Sequence, residues 1–76
     1  MAEKRFSEIL REARANKDLT REELATITGL SVNELLKLEN DRTKKPRPVT
    51  LELLATALDL DVNETLKRFG YSAKKE

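Results

Sequence analysis

Asn33 and Lys37 stand four apart in the stretch SVNELLKLEN, and residues 42–48, RTKKPRP, follow with four positive charges and no negative one. An asparagine carboxamide places a donor and an acceptor side by side, the pattern that answers adenine N6 and N7. A lysine ammonium can reach guanine O6/N7 or a phosphate, and Val32 is of a size to pack on a thymine methyl. The cations Arg42, Lys44, Lys45 and Arg47 can neutralise a polyanion backbone, or they can be an ordinary solvated loop. These residue types in this pattern supply recognition rather than bond-making.

The composition points the same way. The chain has 76 residues with no Cys and no His, which removes Cys/His zinc sites, haem attachment, thiol catalysis and imidazole acid–base chemistry. Its 14 carboxylates include candidates for a general acid, but that role needs a pocket that shifts the pKa, and a chain this short buries only about 60% of its unfolded surface. The only glycines are Gly29 and Gly70, both placed as helix stops, so no phosphate-binding glycine loop is present. No calcium-loop spacing appears. No catalytic residue, metal site or cofactor is therefore assigned, and an enzyme is not expected.

The elements that must position Asn33 and Lys37 are written in TREELATITGLSVNELLKLE, residues 20–39. Thr20 with Glu23, and Ser31 with Glu34, each fit the capping box: the hydroxyl accepts a free helix-start N–H, and the Glu reaches back to the cap's own N–H. Leu19 with Leu24 and Leu30 with Leu35 have the spacing of a hydrophobic staple, and Gly29 is placed for a left-handed helix stop. The spacing predicts a helix over Arg21 to about Thr28, a turn of about three residues, and a second helix from after Ser31 to near Asn40. This is a helix-turn-helix, whose second helix commonly lies in a DNA groove. Taking about 100° per residue, Leu35 and Leu38 point inward, and Asn33, Lys37 and Asn40 point away from them, with Val32 and Leu36 on one flank and Glu34 on the other. Leu24, Ala25 and Ile27 are expected to face inward from the preceding helix.

These residues resemble the phage-repressor (Cro-type, XRE-like, lambda-repressor-like) helix-turn-helix family, with its pattern L-A-x-x-x-G-[VIL]-S-x-x-x-[IVL]-x-x-[IL]-E. Leu24, Ala25, Gly29, Leu30, Ser31, Leu35, Leu38 and Glu39 match it, and the resemblance extends from Phe6 to about Tyr71. It implies an all-α, compact five-helix bundle with base readout at the start of the second helix of the motif: Val32, Asn33 and Glu34, joined by Leu36 and Lys37 from the outward stripe. Phosphate contacts are expected from Thr20, Arg21, Ser31, Arg42, Thr43, Lys44, Lys45 and Arg47. The family often carries Gln where Arg21 stands, a small polar residue where Leu36 stands, and Gly where Asp41 stands. Glu34 can be absorbed by its capping box or accept from cytosine N4. Leu36 can touch a thymine methyl or mark a protein contact. Asn40 or Asp41 must take the left-handed turn. Glu39 is expected to tie its helix to a neighbouring turn or to Arg42.

The rest of the chain reads as helices that support this motif. Phe6, Ile9, Leu10 and Ala13 make the inner face of a first helix over roughly residues 3–15, with Glu8, Arg11, Glu12 and Arg14 outside and Asn16 as its left-handed stop. Pro46 and Pro48 are expected to stiffen the basic loop and exclude helix there. Thr50 is read as the cap of a fourth helix, with Leu51, Leu54, Ala55 and Leu58 inward. Asp61 and Glu64 open a fifth with Val62, Leu66 and Phe69 inward, closed by Gly70 with Tyr71 folding back.

Residues 1–71 are read as one DNA-binding domain and 72–76 as a polar tail. Net charge is only +1, yet residues 49–70 carry a net −2 against the basic 42–48, so the molecule can orient on a polyanion. MAEKRFSEIL is not a signal peptide and no run spans a membrane, so a cytoplasmic protein is expected, nucleoid-associated when bound to DNA. The expected partner is double-stranded DNA, met by a homodimer or by the N-terminal module of a longer repressor. By resemblance the dimer surface involves Leu66, Phe69 and Tyr71, although Phe69 and Tyr71 can instead complete the monomer core. A protein-interaction adaptor or an antitoxin using the same surface is the alternative.

Overall fold

The computed structural model describes residues 4–71, so residues 72–76 of the expected tail lie outside the described residues. Five helices and no strand occur among them: α1 (Phe6–Asn16), α2 (Arg21–Thr28), α3 (Val32–Glu39), α4 (Pro48–Ala57) and α5 (Val62–Arg68). The all-α expectation holds. Two compact units are distinguished, Met1–Lys44 and Lys45–Glu76.

In the first unit α3 packs on both α1 and α2. Phe6, Leu10, Leu24, Leu35 and Leu38 are buried, with Ala25 filling the small position. Both capping boxes form. Glu23 N–H donates to Thr20 Oγ1 at 3.0 Å while Thr20 N–H donates to Glu23 Oε1 at 2.8 Å. Glu34 N–H donates to Ser31 Oγ at 3.0 Å while Ser31 N–H donates to Glu34 Oε1 at 2.9 Å. Gly29 takes φ +81° and donates to Ala25 O at 2.8 Å.

Several local expectations are corrected. Helix α1 starts at Phe6, after Arg5, whose N–H donates to Glu8 Oε1 at 3.3 Å. Its left-handed stop is Asp18 at φ 56°, not Asn16. Ile27 is 58% exposed. The inward slot of α2 goes instead to Thr28, one turn on from Leu24; its hydroxyl is satisfied by donating to Leu24 O at 2.8 Å and accepting from Leu30 N–H at 3.2 Å. Asp41, rather than Asn40, takes the left-handed turn after α3, at φ 58°.

In the second unit α4 packs on α5, and Leu51, Leu54, Ala55, Leu58 and Leu66 are buried. Val62 and Phe69 are half-buried. Helix α4 begins three residues earlier than expected. Pro48 is its first residue and Arg47 its cap, which leaves Thr50 buried inside the first turn. Proline suits that position, because its missing N–H would have no helical partner there and its φ is already helical. In α5, Asp61 accepts from Glu64 N–H at 2.9 Å. Gly70 at φ 85° and the 3.0 Å bond from Tyr71 N–H to Leu66 O complete the expected Schellman close.

The same closure recurs with aspartate in place of glycine. Leu19, Arg42 and Leu60 each donate back five residues, to Arg14, Lys37 and Ala55 oxygens, around left-handed Asp18, Asp41 and Asp59. An L-residue is strained in this region by about 1–2 kcal/mol, and an acid at a helix C-terminus opposes the helix dipole. Glycine removes both terms at an entropic cost of about 0.5–1 kcal/mol. Asp18→Gly is therefore expected to stabilise the protein by about 0.5–1 kcal/mol, read as a higher urea midpoint, while Asp18→Ala gives no such gain.

Candidate nucleic-acid interface

Helix α3 is held from behind. Glu39, its last residue, is 1% exposed, and its carboxylate collects cations from both other helices of the unit. Arg14 Nε reaches Oε2 at 2.8 Å and Arg14 Nη2 reaches Oε1 at 3.2 Å. Arg21 Nε reaches Oε1 at 2.8 Å. Arg11 Nη1 donates to the Glu39 carbonyl, and Arg14 Nη1 also donates to Leu19 O at 2.9 Å. Burial alone would push the Glu39 pKa up; the hydrogen bonds and charges of Arg14 and Arg21 outweigh it and hold the carboxyl below its usual range.

The structural role expected of Glu39 is present, but its partners are Arg14 and Arg21 rather than Arg42. Arg14, read as part of the outer face of α1, is turned inward. Its position one turn after Leu10 places it within about 40° of the buried direction, and that was the available signal.

The opposite side of α3 is open. Asn33, Lys37 and Asn40 are exposed, flanked by Val32 at 37% and Leu36 at 38% exposure. Glu34 lies at the start of this face with its carboxylate engaged at the Ser31 N–H. Thr20 and Ser31, both exposed, have their hydroxyls committed as caps. Arg21 combines its bond to Glu39 with a side chain still 36% exposed.

The basic segment is divided between the two units. In the first, Arg42 and Lys44 are exposed and Thr43 is half-buried; Asp41 pairs with Arg5 at 3.0 Å. In the second, Lys45 Nζ lies 5.0 Å from the centroid of the Tyr71 ring, Tyr71 Oη donates to Pro46 O at 2.7 Å, and Arg47 is exposed. Tyr71 is half-buried and Leu66 buried, so both have work within their own unit. Sequence reasoning missed the Tyr71–Pro46 bond, as it missed Arg14 and Thr28.

Among the described residues no group of three or more carboxylates is placed to hold a metal ion, and no helix is long and apolar enough to cross a membrane. The arrangement is a helix fastened from behind through Glu39, with Asn33, Lys37 and Asn40 outward between the apolar flanks of Val32 and Leu36.

Comparison with known proteins agrees with this geometry. No curated protein matches the chain. A family model described as Helix-turn-helix matches residues 10–64, from within α1 to within α5 and well over half of the chain. The protein belongs to this helix-turn-helix family, the XRE-type, lambda-repressor-like kind, a family of DNA-binding transcription regulators.

Proposed function

We propose that residues 1–71 form a sequence-specific double-stranded-DNA-binding domain of a repressor-type regulator, working in the cytoplasm by occupying its operator. Helix α3 lies in the major groove. Asn33 pairs with adenine, Lys37 reaches guanine or a phosphate, and Val32 and Leu36 meet thymine methyls, with Glu34 at the edge of the readout. Thr20, Arg21, Ser31, Arg42, Thr43, Lys44, Lys45 and Arg47 serve the backbone and set orientation without reading sequence. One such module contacts few base pairs, so a homodimer on an inverted repeat, or a longer repressor, supplies the specificity. Phe69 and Tyr71, with Leu66 behind them, are the proposed dimer surface.

The observation that carries this reading is the electrostatic state of α3. Both of its carboxylates are occupied, Glu34 by its own cap and Glu39 by Arg14 and Arg21, while Asn33 and Lys37 remain exposed. Exposed Ile27 and Leu36 favour the second reading, an adaptor or antitoxin that also docks a protein.

Salt-dependent binding to a mixed-sequence duplex tests the proposal. Affinity is expected to fall linearly on a log–log plot against salt, with a slope of about 0.9 per phosphate neutralised. Lys45→Ala should weaken binding to all duplexes alike and lower that slope by about one. Salt-independent binding, or none, would favour the protein-partner reading.

A further inference from the structure

Arg21 is the first residue of α2, and Glu39 takes only its Nε, at 2.8 Å. Glu39 keeps two further bonds from Arg14, so its attachment to α1 does not depend on Arg21. A side chain 36% exposed and tethered by one nitrogen has its Nη groups left for another acceptor; a guanidinium can serve two oxyanions in this way, whereas an ammonium acts as a single point charge. We infer that Glu39 is a positioning residue for DNA binding: by fixing Arg21 Nε it pre-orients the guanidinium so that its Nη groups meet one backbone phosphate.

The inference rests on the DNA-binding reading above and deepens it. It also reverses a simple expectation. By charge alone, removing a carboxylate beside a polyanion site should tighten binding. If Glu39 aims Arg21, removing it weakens binding instead, because the arginine must then be ordered when the phosphate arrives.

The test is a cycle on the full chain, with Arg21→Lys, Arg21→Ala, Glu39→Gln and the combination of Arg21→Lys with Glu39→Gln, all confirmed folded by circular dichroism. The readout is the dissociation constant for a mixed-sequence duplex across several salt concentrations. Arg21→Ala should bind about tenfold more weakly with a salt slope lower by about one. Arg21→Lys should keep the slope, since the charge remains, yet bind about three- to tenfold more weakly. Glu39→Gln should also weaken binding, and the Arg21→Lys penalty should vanish in that background.

A structural ion pair alone would lower stability in Arg21→Ala and leave the slope unchanged; that result overturns the inference while the DNA-binding reading stands. Arg21→Lys binding as tightly as the wild type overturns it as well, and does so even if Glu39→Gln fails to fold. A wild-type chain with no salt-dependent binding overturns both.

Discussion

Glu39→Ala is expected to destabilise the protein by about 3–5 kcal/mol, the cost of leaving buried-side cations without their counter-ion. Arg14 is only 18% exposed and loses both of its carboxylate bonds; Arg21 loses its tether, and three helices lose their common fastening. A chain of this length has roughly 4–11 kcal/mol in total, so the variant should lose a large share of its stability and show a much lower urea midpoint. Urea titration followed by circular dichroism measures this, with Lys37→Ala, exposed on the same helix, as the control expected within about 0.5 kcal/mol of wild type.

The same carboxylate sets a pH dependence. Because the folded-state pKa of Glu39 lies below its ordinary value of 4.5, its stabilisation is fully present above that ordinary value. It is lost as pH falls through the lower, folded value. The stability gap between wild type and Glu39→Gln should thus be flat from about pH 7 down to about pH 5 and narrow at lower pH. A gap that widens on acidification would contradict the assignment.

The second large effect is expected at Leu35, which has no accessible surface. Leu35→Ala removes a side chain from the contact of α3 with the rest of its unit and should cost about 2–5 kcal/mol through lost burial and the cavity left behind. Its neighbour Leu36, 38% exposed, should lose less than about 1 kcal/mol on the same truncation. In binding the order is expected to reverse: a folded fraction of Leu35→Ala keeps the readout groups of α3, whereas Leu36→Ala alters the proposed interface itself. Paired melting and duplex-binding curves on the two variants separate these roles.

Local chemistry was readable in advance, and long-range pairing was not. Thr20–Glu23, Ser31–Glu34, Gly29 and Gly70 perform their tasks within a few residues of chain, so spacing alone predicts them. Which cation answers Glu39 depends on how three helices meet. The sequence reading offers a neighbouring turn or Arg42, whereas Arg14 and Arg21, remote in sequence, share the carboxylate. Thr28 takes the inward place expected of Ile27 because a hydroxyl that bonds back to Leu24 O can occupy a buried slot that composition assigns to isoleucine. Pro48 opens α4 rather than excluding helix there, because proline at the first helical position is favoured. Aspartate as a left-handed stop is less common than glycine, so Asp18 and Asp59 carry only a weak sequence signal for that role. The outward stripe of α3 followed from periodicity once Leu35 and Leu38 were placed inward.

The central claim is that α3 reads base pairs, and selection from a random duplex library at about 0.1 M salt, where phosphate contacts are not yet screened out, tests it most directly. Wild-type protein is expected to enrich a defined motif, an inverted repeat with half-sites about one DNA turn apart if it binds as a dimer. Asn33→Ala, at a cost of about 1–3 kcal/mol, and the double variant Asn33→Ala/Lys37→Ala should lose that enrichment while retaining salt-sensitive binding. The same motif enriched equally by the double variant would contradict the account and move sequence readout off α3.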